Sequence, residues 1–589
     1  MTRRTLTMAL LVGWVAVVPT LSCGSDDQIA DGRKNGTGGA SSGGAASGGA
    51  AGSGGSAGTA GASGAAGSGG APLPTGKLSI GFWCGLPASE LTQPRVDQIA
   101  QAGFTFAANA CDGTTFNPSY NQTLLALAVH AGIDVVVSDT RTFAAAQGTD
   151  VDANLDAVVN DYAGSSALLG YHVTDEPSTA AFPALATVVS GIATRDPAHF
   201  GVINLLPDYA TGAQLGAATY PEYVAQFLST VKPAFFSYDH YNFLSDGTDG
   251  PSFFANLAAV RAAALDAHVP FGQYIQSISY NGHRATTGPE KRWAALHTLA
   301  YGGSAVMYFT YWTPPQTSEN FGDGIIGANG NPTAQYDDVT SINRTLSAMG
   351  KYLVAAASSD VFHNGPLVAG TVPRAPGAPV YLPSGAPITV GIFDVGDDGY
   401  ALLVNRDHDA ASESDVYFAS AGGVLDVLDV TSGAFVPATS ATTDAIGTKL
   451  HVSLPAGDGL LVHLHGPLPA GPPGAEAYFG TVRADAGWLD VVDSAFGTAR
   501  LRGAGWDDCP AGTVEVGKDL QSNGFWLCAR SDLAKKTFYV GNVVADAGTL
   551  YQVSAGTATN VGPGGWDTCP AGTLLAHRFE SNGFWACME

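Results

Sequence analysis

The sequence predicts an α/β fold, a (β/α)8 barrel followed by an antiparallel β-sandwich and a duplicated, cysteine-containing β-rich domain. Three observations carry this. Eight short apolar runs recur between residues 78 and 312, with starts about 26 to 35 residues apart, the length of one βα unit. From about residue 388 the spacing shortens into β runs without helical stretches between them. Finally, two copies of one cysteine motif, GWDDCPAGT…SNGFWLC and GWDTCPAGT…SNGFWAC, lie about 60 residues apart.

In order, the eight runs are LSIGFWC (78–84), FTFAANA (104–110), DVVVSD (134–139) and ALLGYHVTDEP (167–177), then GVINLLP (201–207), FFSYDHY (235–241), PFGQYIQS (270–277) and AVMYFTYW (305–312). Intervening segments such as RVDQIAQAG and LLALAVHAG carry the i, i+3, i+4 apolar spacing of helices. Both faces of the runs are largely apolar, as in a parallel sheet covered by helices. A doubly wound open sheet is the alternative, but no GxGxxG or phosphate loop follows the first run. An eighth helix is expected over about 335–356. The runs ITVGIFDV, YALLVNRD, SDVYFAS, KLHVSL and GLLVHLHG read as the sandwich, and GPLPAGPPG (466–474) separates it from the repeats. The expected division is a signal at 1–22, a linker at 23–75, the barrel at 76–360, the sandwich at 361–466 and repeats at 475–530 and 531–589.

Charge bounds the partners. Of 589 residues only 13% are charged, 26 basic against 51 acidic, giving a net charge of −25. Such a surface repels phosphate backbones and anionic lipid, so no nucleic-acid partner is expected. Between Gly36 and Ala71 every residue is Gly, Ala, Ser or Thr, and 16 of the 76 glycines fall there. No side chain in that run can supply a core, so it reads as a flexible tether with a reach of roughly 30–35 Å. Ahead of it, Arg3 and Arg4 precede an apolar stretch from Met8 to about Leu21, which fits a secretory signal and is short for a permanent span.

Ser22-Cys23-Gly24 resembles a bacterial lipoprotein signal, although Thr20 stands where that signal usually carries Leu. The resemblance implies a lipidated Cys23, export to an outer membrane or cell surface, and membrane association through the anchor alone. Six further cysteines remain of the seven. A bridge within each repeat, Cys509 with Cys528 and Cys569 with Cys587, is the simplest connectivity among the three that four cysteines allow. Cys84 and Cys111 either pair across neighbouring strand ends or stay free.

A barrel presents its chemistry at the C-terminal ends of its strands. There the fourth run ends in Thr174-Asp175-Glu176-Pro177, the sixth in Tyr238-Asp239-His240-Tyr241, the third in Asp139-Thr140-Arg141, and the eighth carries Tyr308, Tyr311 and Trp312. Carboxylates interleaved with aromatic rings suit sugar chemistry. Rings stack on pyranose C–H faces, one carboxylic acid protonates the leaving oxygen, and a second carboxylate serves as nucleophile or base. Residues expected to line the sugar site are Tyr171, His172, Asp139, Asn204, Tyr238, His240, Tyr241, Gln273, Tyr311 and Trp312.

These segments resemble a family. Asp175-Glu176-Pro177 is similar to the Asn-Glu(-Pro) acid/base element of clan A glycoside hydrolases, and SYDHY (237–241) to the Ser-Trp-Asp-Asn-Tyr element of family 42 β-galactosidase-like enzymes. RWAALHTLAYGGSAVMYFTYW resembles their seventh helix and eighth strand, and DGIIGANGNPTAQYDDVTSINRTLSAMG the segment that follows. A trailing sandwich completes the likeness, over roughly residues 77 to 465. It implies a retaining glycoside hydrolase with Glu176 as general acid/base.

One departure stands out. The clan's nucleophile is a Glu at the end of strand seven, where this chain offers only Gln273 and Gln276. An amide cannot form a glycosyl ester, so Asp239, on the adjacent sixth strand, is the leading second carboxylate. Asp139, Asp175, Glu290 and Asp323 follow. Asp175 is expected to orient Glu176 or a substrate hydroxyl, and Glu290, just after Pro289, to stabilise a helix start. His172 and His240 have no HxH or HExxH spacing linking them to Asp239, so no metal ligand and no cofactor are assigned. The expected partner is a neutral poly- or oligosaccharide. A rival reading is a lipid-anchored carbohydrate-binding or adhesion protein with an inactive barrel, in which Trp506, Phe525, Trp526, Trp566, Phe584 and Trp585 of the repeats bind glycan or simply fill small cores.

Overall fold

The computed structural model describes residues 77–466 apart from 318, 375–377, 383–384, 397 and 444–447, and beyond 466 mainly the strands of the repeats. The expected signal and tether, with Cys23, lie outside the described residues.

Eight parallel strands are formed: β1 Ser79–Phe82, β2 Phe106–Ala108, β3 Asp134–Ser138, β4 Leu168–Asp175, β5 Phe200–Leu205, β6 Phe236–His240, β7 Phe271–Gln276 and β8 Ala305–Phe309. Seven fall inside the apolar runs, and β5 begins one residue ahead of its run. The hydrogen-bonded order is β1-β8-β7-β6-β5-β4-β3-β2. The ring closes between β1 and β2 through Thr105 N–H to Ile80 O at 2.8 Å and Gly85 N–H to Asn109 O at 2.8 Å. A disulfide between Cys84 and Cys111, with Cα atoms 4.7 Å apart, spans the same seam. It resolves the choice the sequence left open for these two thiols.

Helices α1 Gln93–Gln101, α2 Pro118–Ala131, α3 Thr140–Ala146, α4 Val151–Tyr162, α5 Phe182–Arg195, α6 Gly212–Leu215, α7 Tyr220–Val231, α8 Phe253–Ala267, α9 Gly288–Ala300 and α10 Gln335–Leu353 accompany the strands. Their starts follow local chemistry: Asn117 caps α2, and Thr-x-x-Gln/Glu capping boxes open α6, α7 and α9. The barrel interior is filled by Ser79, Phe106, Val136, Phe200, Val202, Ser237, Tyr274 and Met307, so it is a packed core and not a pore. Gly81 on β1 is required by this packing, because a Cβ there would collide with the Phe106 ring. α10 locks the ring shut, since Asn343 takes the Tyr308 hydroxyl at 2.9 Å and donates to Ala102 O at 2.9 Å.

A sandwich follows. Strands β9 Ala357–His363, β11 Ile388–Val395, β12 Asp398–Asn405, β14 Leu425–Asp429, β15 Ala434–Pro437 and β18 Gly459–Leu464 form one sheet, ordered β15-β14-β18-β12-β11-β9. Strands β10 Val380–Tyr381, β13 Ser412–Phe418, β16 Thr442–Thr443 and β17 Thr448–Leu454 form the other, ordered β10-β13-β17-β16. Val380, Ile388, Val390, Leu403, Val416, Phe418 and Val462 fill the space between them. The sandwich docks on α9 through buried polar contacts: Trp293 Nε1 donates to Arg406 O at 2.9 Å, and His297 Nε2 lies 3.0 Å from Thr389 Oγ1.

Each repeat forms a five-stranded antiparallel sheet. The strands are β19 Glu476–Thr481, β20 Trp488–Asp493, β21 Gly497–Arg502, β22 Thr513–Asp519 and β23 Phe525–Arg530, then β24 Phe538–Asn542, β25 Thr549–Ser554, β26 Thr557–Pro563, β27 Leu574–Phe579 and β28 Phe584–Met588. The orders β21-β20-β19-β23-β22 and β26-β25-β24-β28-β27 are the same topology, so the duplication seen in sequence is a duplication of fold. Trp526 is 1% exposed and belongs to a core. Cys528 and Cys587 are each disulfide-bonded, while Cys509, Cys569, Trp506 and Trp566 lie outside the described residues.

Candidate active site at the barrel mouth

Side chains alternate across each strand, so the interior residues identify which neighbours also point inward. On β6 Ser237 faces the interior, so Asp239 does too and Tyr238 and His240 face the helices. On β7 Tyr274 faces inward, paired in register with Asp239, and Gln273 faces outward. β4 shifts register by one residue between His172 and Thr174. That bulge sets Asp175 opposite Asn204 of β5 and turns its carboxylate inward.

A hydrogen-bond chain crosses three strands. Ser237 Oγ donates to Asn204 Oδ1 at 3.0 Å, which orients the amide so that Asn204 Nδ2 donates to Asp175 Oδ1 at 3.1 Å. Glu176 follows with φ +44°, a left-handed conformation unusual for a residue with a side chain. It is held there because its N–H donates to Asn204 O at 2.9 Å. The next residue is pinned by α7, whose Tyr223 hydroxyl donates to Pro177 O at 2.7 Å and accepts from Leu206 N–H at 3.4 Å.

Three buried tyrosines each feel more than one of the carboxylates at the strand ends. Burial raises the Tyr223 phenol well above its usual range, and the charges of Glu176, Asp239 and Asp175 add to it. Tyr274 is raised by burial and then by Asp175 and Asp239, and Tyr241 by burial and then, among others, by Asp239 and Glu176. Burial also pushes the Asp175 carboxyl up to about 6, against the opposing pull of the Asn204 amide and the Glu176 N–H. Burial holds His172 neutral, lowering it to about 4. Its Nδ1 lies 3.2 Å from Ser138 Oγ, and Trp83 stands edge-on to both His172 and Tyr274, with ring centroids 5.1 and 5.5 Å away.

Of the residues expected from sequence, the structure therefore gathers Asp175, Glu176, Asp239, His172, Asn204 and Tyr241 at the mouth. The others are placed elsewhere. Tyr171 is fully buried and its hydroxyl donates to Asp196 at 2.6 Å. Asp139 caps α3 and is held by Arg141 and the Tyr162 hydroxyl. Tyr238 is enclosed on the outer side of β6. His240 Nδ1 bonds Asn256 Oδ1 of α8 at 2.9 Å. Gln273 accepts from Thr298 of α9 at 2.7 Å. Tyr311 stacks on the outward Phe82 at 4.5 Å, and Trp312 lies under the Arg95 guanidinium. Of the lesser carboxylates, Glu290 is used structurally, closing the α9 capping box and pairing with Arg284 at 2.5 Å, whereas Asp323 contributes only its backbone carbonyl, which takes the Gln335 amide at 2.7 Å. Gln276 clamps the loops above β6 and β7 by bonding both backbone groups of Phe243 and the Arg284 carbonyl. Sequence reasoning missed Trp83 and Tyr274. Trp83 closes an alternating run at a strand end, which was a usable signal, whereas Tyr274 sits mid-strand among apolar residues.

Fold and site together define a (β/α)8 barrel with acidic residues at the C-terminal ends of β4 and β6 and aromatic residues on the neighbouring strands. No protein-family profile and no curated protein sequence matches this chain. Among solved structures it is similar to a catalytic mutant of Gan42B, a GH42 β-galactosidase from G. stearothermophilus, at TM-score 0.46 and 8% identity over 67% of this chain and 100% of that one. It is also similar to a glycoside hydrolase family 5 protein from Bacteroides vulgatus, at TM-score 0.42 and 12% identity over 67% and 93%. A β-galactosidase from the psychrophilic Marinomonas ef1 gives TM-score 0.38 and 9% identity over 48% of this chain. This chain spans 62% of the length of that protein and 60% of a β-galactosidase from the haloarchaeon Halorubrum lacusprofundi.

Proposed function

We propose that this chain is a glycoside hydrolase acting on an extracellular poly- or oligosaccharide at the barrel mouth. The observation that carries the reading is the placement of Asp175 and Glu176 at the C-terminal end of β4 and of Asp239 at that of β6, with Trp83 edge-on to Tyr274 on the same side of the barrel. Glu176 protonates the leaving oxygen, and bonds to its own N–H and to Pro177 O fix the backbone that carries it. Asp239 is the second carboxylate, acting as nucleophile or as base toward water. Asp175, tied to Asn204, orients the acid and a substrate hydroxyl. β4 and β6 lie two strands apart, about 9–10 Å between backbones, so their side chains can reach across one glycosidic bond. Trp83, half-buried just after β1, offers a stacking surface for a sugar ring. The net charge of −25 favours a neutral glycan, and the lipoprotein-like signal with its tether favours action at the outer membrane or cell surface.

The absence of an acid on β7 favours a second reading, a carbohydrate-binding barrel without turnover. One experiment separates the two. Full-length protein is incubated with a polysaccharide panel, and the anomer first released is followed by NMR. Release of sugar that Glu176→Gln nearly abolishes, with folding intact, supports hydrolysis. Near-normal turnover in Glu176→Gln refutes the assigned role, and binding without release supports the second reading.

A further inference from the structure

The sandwich holds a separate cluster of titratable side chains. β18 ends Val462-His463-Leu464, followed by His465 and Gly466. Val462 and Leu464 are fully buried in the sandwich, so alternation puts His463 and His465 together on the opposite face, with ring centroids 4.1 Å apart. In register, His463 faces Asp426 on β14 and Tyr400 on β12. Asp398, at the start of β12, brings Oδ2 within 3.1 Å of His463 Nε2 while its Oδ1 accepts the Gly466 N–H at 2.8 Å. Asp426 Oδ2 lies 2.8 Å from His465 Nε2. One ligand atom each from Asp398, His463 and His465 lie within 4.8 Å of one another.

Two ring nitrogens and a carboxylate oxygen, one from each of three residues, thus stand close enough together for a single cation to bridge them. We propose that Asp398, His463 and His465 bind a divalent transition-metal ion of the zinc class, with Asp426 holding His465 from outside the coordination shell. The dimensions agree. Tetrahedral ligands at about 2.0–2.1 Å from zinc stand about 3.3 Å apart, close to the Asp398–His463 separation. Two imidazoles and one carboxylate suit zinc, whereas calcium and magnesium prefer all-oxygen shells. The Asp426 contact is the carboxylate–histidine pairing that fixes a ligand's tautomer. The ion would tie β12 to β18 where the chain leaves the sandwich, a structural role distinct from the barrel mouth. The sequence reading assigned no metal ligand, although His463-Leu464-His465 is itself a His-x-His pair.

The test uses untagged full-length protein stripped with chelator and titrated with zinc chloride by calorimetry. The wild type is expected to take up one equivalent more than the His463→Gln/His465→Gln variant, and zinc is expected to raise only the wild-type unfolding temperature. Asp426→Asn is expected to weaken zinc binding about 10–100-fold without abolishing it. Should the double variant misfold, Asp398→Asn, altered at a half-exposed position, serves in its place. Zinc uptake by Asp398→Asn equal to wild type, or calcium binding as tightly as zinc, overturns the proposal.

Discussion

Asp175 is the residue at which burial and charge conflict most directly, and Asp175→Asn exposes that conflict. Its carboxyl is raised from 3.8 to about 6 in the folded chain, chiefly by burial. Below about pH 3.8 the group is protonated in both folded and unfolded states and the shift has no effect on stability. Above about pH 6 it is ionised in both, and the folded state bears the cost of the buried charge, on the order of 2–3 kcal/mol. Stability is therefore lost as pH rises through this window. Asparagine keeps an oxygen for the Asn204 amide and carries no charge. Asp175→Asn should thus match wild type near pH 4 and exceed it near pH 7.5, by on the order of 5 °C in the barrel's unfolding temperature. Thermal unfolding followed by circular dichroism at the two pH values measures it, with turnover expected to fall in the same variant. A stability difference that is the same at both pH values would refute the argument, because it would owe nothing to ionisation.

Other consequences are equally direct. Replacing Cys84 and Cys111 by Ser opens a 27-residue separation and should cost about 3–4 kcal/mol by chain entropy, read as a lower denaturant midpoint. Tyr223→Phe removes the hydroxyl that anchors Pro177 O and should lower kcat on the order of tenfold or more, with stability reduced by only about 1 kcal/mol. A matching loss of KM and kcat would point to collapse of the whole mouth. His297, at the sandwich junction, is lowered to about 3 by burial, so the unfolded chain takes up its proton first as pH falls below about 6.5. Stability should then decline by about 1.4 kcal/mol per pH unit through this group, and His297→Gln should flatten that part of the pH–stability curve.

The barrel was legible because parallel strands covered by helices are apolar on both faces, and eight such runs at βα spacing admit few arrangements. The sandwich was legible in its longer strands, but β10 and β16, two residues each, leave no periodicity to read. The position of Glu176 at a strand end was equally visible. What remained hidden was orientation. When both faces of a strand are buried, the alternation that separates inside from outside disappears, so Tyr238, His240 and Gln273 looked as available as Ser237, Asp239 and Tyr274.

Sequence alone determined the repeating βα framework, the duplicated C-terminal fold and the presence of acids at strand ends, all properties written in local pattern and spacing. Only the tertiary structure decided which acids meet. A one-residue bulge in β4 turns Asp175 inward, a backbone bond to Asn204 holds Glu176 in a left-handed turn, and the β6–β7 register sets Asp239 against Tyr274. Each depends on hydrogen bonds between segments about 30 residues apart or more, and no local pattern along the chain encodes them.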